Sequence, residues 1–390
     1  MNHSIFSAEH YEACRRPLHQ ASPLPGWCYT SAEWYERELD TLFRQDWLCL
    51  GRVEQIPQVG DYFSIEVLGR PLIVVRDESK QVRVQSALCR HRGAIITEGA
   101  GKCRAFVCPY HSWTYNLGGQ LMSTPGNPPP MAGSEGFRKE DHSLHQVRSA
   151  SWGGFIFATF NEGAPPLLEW LGDLPQFLQA YDLENMVWTH RDTYEVPCNW
   201  KIWLENAFEN YHVATVHRDH YDPKNPQNWQ FEEHQTGPWE AMSSKRSIVA
   251  YSGLPPIPGL DTSKGSTLYH IWIQPSVQII LTASYMKFRQ YLPEGPEKVR
   301  LYENWAFPRS TLEMPDFTSI VGPDYYEKYS QIVREDLAIN PNMQKAMRSG
   351  AYRPGRLSLE EFIVHRIANR VLDRVIGPQS APVSAGSVAG

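Results

Sequence analysis

Two short segments carry the side chains best suited to metal chemistry. Cys89-Arg90-His91 is followed, after sixteen residues, by Cys108-Pro109-Tyr110-His111, so each segment brings one thiol and one imidazole. Two independent Cys-His pairs at loop spacing rarely arise from packing alone. Structural zinc sites usually pair Cys with Cys in one knuckle and His with His in another, which makes zinc a rival but a poorer fit to mixed pairs. Mixed pairs suit a two-iron, two-sulfide cluster. Cys89 and Cys108 would hold one iron as thiolates, and His91 and His111 the other as imidazoles, an arrangement that raises the reduction potential. Cys103 lies between the pairs without a ligand-like position and reads as a loop or strand thiol.

A second constellation lies in NWKIWLENAFENYHVATVH, residues 199–217, whose polar points are Glu209, His212 and His217. Apolar Ile202, Trp203, Ala207, Phe208 and Tyr211 suit a single helix on which Glu209 and His212 are neighbours one turn apart. His217 comes five residues later, and at ~100° per residue it points roughly 140° away from His212. Both face one metal only if the helix distorts or ends between them, and β-branched Val213, Thr215 and Val216 favour such an ending. Two imidazoles and one carboxylate form a facial triad for iron(II) that leaves positions open for dioxygen. The carboxylate must come from downstream, where Asp324, Glu327, Glu335 and Asp336 all read equally well as solvated helix charges.

With both constellations in view, CRHRG and CPYHSWTYNLGGQL resemble the cluster motif of the Rieske non-haem iron ring-hydroxylating oxygenases. Arg92, Gly93, Trp113, Tyr115 and Gly118 stand where that pattern places them, while Ser112 replaces a more usual Gly or Ala. The resemblance runs over residues 45–370 and continues in REDLAINPNMQKAMRSGAYRPGRLS, where it implies Asp336 as the third iron ligand, with Glu335 as the fallback. It implies that Glu209 is an acidic bridge between the two metal centres across a subunit boundary, not an iron ligand. It further implies an α+β chain, with a small all-β [2Fe-2S] domain and a helix-grip catalytic domain whose antiparallel sheet curls around a long helix. Electrons would come from NAD(P)H through a separate flavin reductase or ferredoxin, since no G-x-G-x-x-G strand-helix unit is present. A head-to-tail homotrimer without a required small subunit is the implied assembly.

The elements that must position these residues are legible in outline. Residues 61–76, DYFSIEVLGRPLIVVR, alternate around a Gly-Arg-Pro turn as a hairpin does. Glycines and prolines then punctuate the chain to about residue 160, which predicts a β domain over 45–160, preceded by a 1–44 segment that packs on the catalytic domain. PPLLEWLGDLPQFLQAYDLENM has near-helical apolar spacing and predicts a helix leading into a 161–376 catalytic domain. Alternation returns in STLYHIWIQ, QIILTASY, KFRQYLP and VRLYENWAF, predicting an antiparallel sheet, and a helical pattern spans about 323–350. The small, polar end at 377–390 predicts a disordered tail.

Composition narrows the partners. The chain has 390 residues and a formal net charge of -6, so no basic field attracts nucleic acid or anionic lipid. Its N-terminus lacks a secretory pattern and no unbroken apolar ~20-mer occurs, which predicts a cytoplasmic protein without a membrane span. The seven cysteines suit a reducing compartment, where clustered thiols mean metal or catalysis. Three function classes compete: an oxygenase, an electron-transfer ferredoxin, and a zinc-stabilised binding protein. The second His-His-carboxylate set favours the oxygenase. Of two substrate readings the first is preferred and the second is the runner-up. The first is hydroxylation of an aromatic or aromatic acid, anchored by Lys245, Arg246 or Arg289. The second is oxidative N- or O-demethylation, including choline- or carnitine-like amines held by aromatic faces. Trp239, Tyr251, Tyr269, Trp272, Phe288 and Trp305 are the candidate pocket walls.

Overall fold

The computed structural model describes residues 4–126, 128, 130–220, 229–246, 253–263 and 265–378. Tyr251 and nearly all of the expected tail lie outside the described residues, as do the side chains of Arg246 and Ser266.

Ten short strands build the N-terminal module. They are β1 (Leu48–Arg52), β2 (Asp61–Val67), β3 (Arg70–Arg76), β4 (Val82–Ser86), β5 (Ala100–Lys102), β6 (Phe106–Val107), β7 (Thr114–Tyr115), β8 (Leu121–Ser123), β9 (Gln146–Trp152) and β10 (Phe155–Thr159). Seven form one sheet in the order β1-β10-β9-β4-β3-β2-β5, and β6-β7-β8 form a small second sheet at the tip. The hairpin expected over 61–76 is β2-β3, with Leu68 and Gly69 at positive φ in its turn.

The C-terminal module is a seven-stranded antiparallel sheet made of β11 (Met186–Val196), β12 (Trp229–Glu232), β13 (Trp239–Arg246), β14 (Ser266–Ile273), β15 (Val277–Leu281), β16 (Met286–Gly295) and β17 (Lys298–Pro308). Its order is β11-β17-β16-β15-β14-β13-β12, so the six consecutive strands β12 to β17 form a meander, and β11 is added at the β17 edge. Side chains alternate between faces along a strand. The outer face packs Phe288, Ile279 and Ile271 against Trp47, Phe155 and Phe157 of the N-terminal module, and Gln290 donates to the Cys49 carbonyl at 2.8 Å. The inner face receives the helices Trp200–Ala207, Lys328–Arg348 and Phe362–Val375. An N-terminal helix, Ala32–Glu38, joins the same core. Its buried Glu38 accepts from Trp34 and Trp200 and pairs with Lys201 at 2.6 Å.

Two expectations about helices are corrected. The 165–186 stretch is not one helix but four short turns, among them Leu167–Leu171 and Leu174–Phe177, because Gly172 at φ +63 breaks the run. The 199–217 stretch stops being helical at Ala207, ahead of Glu209, and resumes only as the single turn Val213–Val216. The amphipathic Phe362–Val375 helix, which buries Ile363, Ile367, Val371 and Leu372 at helical spacing, was not anticipated.

Candidate metal centres

At the tip of the N-terminal module, two turns of the same kind carry the four sequence-predicted ligands. The Gly93 amide donates to the Cys89 carbonyl and the Ser112 amide to the Cys108 carbonyl, each at 2.9 Å. Both turns close on a residue with positive φ, +76 at Gly93 and +58 at Ser112, so the Ser that departs from the family pattern adopts a glycine-like backbone. Cys89 and Cys108 are buried, whereas His91 is partly exposed and His111 exposed. The two imidazole Nδ1 atoms lie 3.2 Å apart, a separation that suits two ligands converging on one iron. His91 stacks on Trp113 at 4.8 Å, and desolvation, His111 and Arg92 together hold it below its ordinary pKa, in the neutral form a metal binds. Tyr115 lies with its hydroxyl 3.3 Å from the Cys89 sulfur and accepts from the Arg90 amide at 3.1 Å. Cys103 is a half-buried strand-end thiol that packs beside this core.

The second centre combines a loop and a helix. His212 and His217 flank the Val213–Val216 turn, and Asp336 reaches them from the Lys328–Arg348 helix. His217 Nε2 is 3.2 Å from His212 Nε2 and 3.1 Å from Asp336 Oδ1, and the third side of the triangle is 3.7 Å. Ligands about 2.1 Å from an octahedral metal sit about 3 Å apart on one face, so this triangle fits a facial triad. Among the described residues it is the set of three or more metal-ligating side chains whose ligand atoms all lie within 4.8 Å of one another. Asp336, not Glu335, supplies its oxygen. Glu335 instead takes the Nδ1 of His217 at 2.7 Å, and Glu209 takes the Nδ1 of His212. Each imidazole is thus oriented by a carboxylate behind it. Burial works against a charged His217, but Asp336 and Glu335 outweigh it and hold the imidazole above its ordinary pKa. Glu209 also accepts from the amides of Tyr211 and His212, which fixes the loop that follows the helix. Sequence reasoning missed His220, 3.6 Å from Glu335, and Asn206, which donates to Asp336 at 3.4 Å.

The inner face of the sheet beneath this centre is charged. Gln278, Arg289 and Glu303 are register partners across β15, β16 and β17, and Ile280, Lys287 and Trp305 form the next row. Burial pulls the Lys287 ammonium down to about 7, against Glu303, which raises it; Glu303 keeps Arg289 charged despite burial. Lys287 Nζ sits 4.1 Å from the Tyr329 ring centroid and 5.3 Å from that of Trp305. Of the other expected walls, Trp272 is sealed in the core on this face, while Trp239, Tyr269 and Phe288 lie on the outer face. Lys245 also points outward and is exposed, because its odd position in β13 puts it opposite the metal side.

Residues 183–377 match the family model described as the ring hydroxylating alpha subunit catalytic domain, and residues 46–147 match that of the Rieske [2Fe-2S] domain. The chloroplastic choline monooxygenase of Arabidopsis thaliana is 27% identical over 90% of this chain and 82% of its own length. The carnitine monooxygenase oxygenase subunit of Acinetobacter pittii is 25% identical over 85% and 87%. The fold superposes on a solved quaternary ammonium Rieske monooxygenase with a TM-score of 0.80, at 24% identity over 94% of this chain and 98% of the other. It superposes on the naphthalene 1,2-dioxygenase of a Rhodococcus species at 0.78, with 20% identity over 97% and 100%. No helix among the described residues is long and apolar enough to cross a membrane.

Proposed function

The chain belongs to the Rieske-type ring-hydroxylating oxygenase alpha subunits, and from that premise we propose that it is a terminal monooxygenase for small trimethylammonium compounds. As a member of the family it carries a Rieske [2Fe-2S] cluster and a mononuclear iron, and works with electron-transfer partners in an assembly of subunits. Cys89, His91, Cys108 and His111 hold the cluster in a 45–160 domain, and His212, His217 and Asp336 hold the iron in a 161–376 domain. When bound, the mononuclear iron supplies dioxygen activation and the cluster supplies the electrons that the substrate does not. Glu209 and Glu335 hold the two Nδ1 protons and so leave both Nε2 lone pairs free for coordination.

The observation that carries the substrate class is the polar inner floor beneath the proposed iron ligands, lined by Gln278, Lys287, Arg289 and Glu303. A small charged substrate suits such a floor, whereas a flat hydrocarbon needs an apolar slot. The choline and carnitine monooxygenases among the relatives favour the same class over aromatic hydroxylation. The exposed histidine edge of the cluster, and Glu209 beside exposed Tyr211, support a head-to-tail homotrimer in which each cluster serves its neighbour's iron through Glu209. Electrons enter from NAD(P)H through a separate flavin reductase or ferredoxin.

The test is coupled NADH and oxygen consumption with purified oxygenase and reductase, against trimethylammonium compounds and aromatic acids. Formaldehyde, trimethylamine or another product formed stoichiometrically from a trimethylammonium compound is the expected result. Product from aromatic acids alone returns the enzyme to aromatic hydroxylation.

A further inference from the structure

The charges on the inner floor are not needed to hold either metal. Lys287, Arg289 and Glu303 are 2%, 7% and 1% exposed, three buried ionisable side chains on one floor. Arg289 Nε donates to Glu303 at 2.5 Å and its Nη1 to Gln278 at 3.4 Å, and Tyr291 donates to the same Gln278 oxygen at 2.6 Å. Lys287 Nζ reaches the other Glu303 oxygen at 3.4 Å. Two cations therefore share one carboxylate. Among the described residues no other acidic side chain lies within ion-pair distance of either. Burying an ammonium without a full counter-charge is costly, and the lowered pKa of Lys287 expresses that cost.

The position of this surplus charge is set by the long helix. Tyr329, Val333 and Asp336 recur at spacings of four and three, so they share the face that packs on the sheet. Tyr329 precedes Asp336 by two turns, about 10 Å along the axis. Lys287, against the Tyr329 ring, is thus displaced from the iron ligands by roughly the length of a short aliphatic chain. The indole Nε1 of Trp305, whose ring lies 5.3 Å from Lys287 Nζ, is buried and has no hydrogen-bond partner. A donor and a half-compensated cation are left over at the same end of the floor.

We propose that Lys287, backed by Arg289 and Glu303, anchors a carboxylate at the far end of the substrate, so that the site selects trimethylammonium acids over trimethylammonium alcohols. The proposal rests on the trimethylammonium reading above and names which members of that class are taken. A carboxylate supplies the counter-charge that Lys287 lacks and forms charge-assisted hydrogen bonds. A hydroxyl or amide supplies no charge and leaves the ammonium under-compensated, a difference of the kind that separates substrates at buried polar sites.

The experiment measures binding to the iron-loaded, anaerobic holoenzyme by calorimetry, using 4-trimethylammonium butyrate, its amide and the corresponding alcohol. Wild-type enzyme binds the acid at least ~10-fold more tightly than the alcohol or the amide, the difference expected from one charge-assisted hydrogen bond. Lys287→Gln, with cluster absorbance and iron content checked, brings the acid down to the affinity of the alcohol. Equal wild-type affinities for acid, amide and alcohol overturn the proposal without recourse to any variant. A Lys287→Gln enzyme that keeps the full preference for the acid overturns it as well. If no trimethylammonium compound binds, the substrate class falls. Butyrate or benzoate then decides the anchor separately: binding to wild type that Lys287→Gln abolishes retains it, and binding to neither enzyme removes it.

Discussion

At the tip of the N-terminal module the four proposed cluster ligands hang on two turns closed by the same hydrogen bond, Gly93 to Cys89 and Ser112 to Cys108. In the catalytic module the three proposed iron ligands come from a loop between short helices and from the middle of a long one. The first site is local: each turn places its own Cys and His, and the sheet has only to bring two turns together. The second is tertiary: the His212-His217 loop and Asp336 meet because both the loop and the helix pack on one face of the sheet. The first should therefore fail as a unit when any ligand is lost, and the second should fail by parts.

Loss of a cluster ligand has the largest expected effect. Cys108→Ser should abolish the visible absorption, the reduced Rieske paramagnetic signal and all turnover, because three ligands leave one iron of the pair undercoordinated. A variant that keeps a normal signal breaks the assignment. Asp336→Ala should leave the cluster spectrum intact and abolish the mononuclear iron and turnover, since two imidazoles compete weakly with water for iron(II). Metal analysis beside the visible spectrum checks whether the two sites separate in this way; undiminished iron would move the ligand to Glu335.

Glu209→Gln sharpens the comparison at the point where the sites would meet. It keeps the volume and removes the charge, so both metals should stay while electron transfer from pre-reduced cluster to mononuclear iron slows at least ~100-fold, about 2.7 kcal/mol in the barrier. Single-turnover kinetics at the wild-type rate would reduce Glu209 to a carboxylate that merely orients His212.

The catalytic side also holds a pH term. Burial raises the carboxyl of Glu205, which accepts from Tyr29, to about 7. Its folded-state pKa lies above the unfolded value, so the native state keeps its proton longer, and stability falls as pH rises from about 4.5 through 7. Glu205→Gln should therefore melt above wild type at pH 8, by on the order of 2 to 3 kcal/mol, and differ little from it at pH 5. Thermal midpoints at both pH values check the sign. The smallest effect is expected at the cluster: Ser112→Gly relieves a side chain held at φ +58 and should stabilise the protein by up to about 1 kcal/mol. Urea midpoints that do not rise would mean that the Ser112 side chain compensates its backbone strain.

The contrast between the sites also divides what could be read in advance. The cluster residues, the β2-β3 hairpin and the strands β14 to β17 follow from short-range rules: ligand type and loop spacing in one case, period-two alternation in the other. The same rules misjudged the 199–217 stretch, because good helical spacing continues past Ala207 while the Glu209 carboxylate captures the Tyr211 and His212 amides and ends the helix early. They also could not choose between adjacent Glu335 and Asp336, which composition treats alike. Only the phase of the Lys328–Arg348 helix against the sheet puts Asp336 at the metal face and Glu335 behind His217. The same holds for the cations. Lys245 and Arg289 are equivalent as letters, but the strand register sends Lys245 outward to solvent and Arg289, with Lys287, inward beneath the proposed iron ligands. Residue type determines what a side chain can bind; which face it occupies is settled by register and packing over distances that no local pattern spans.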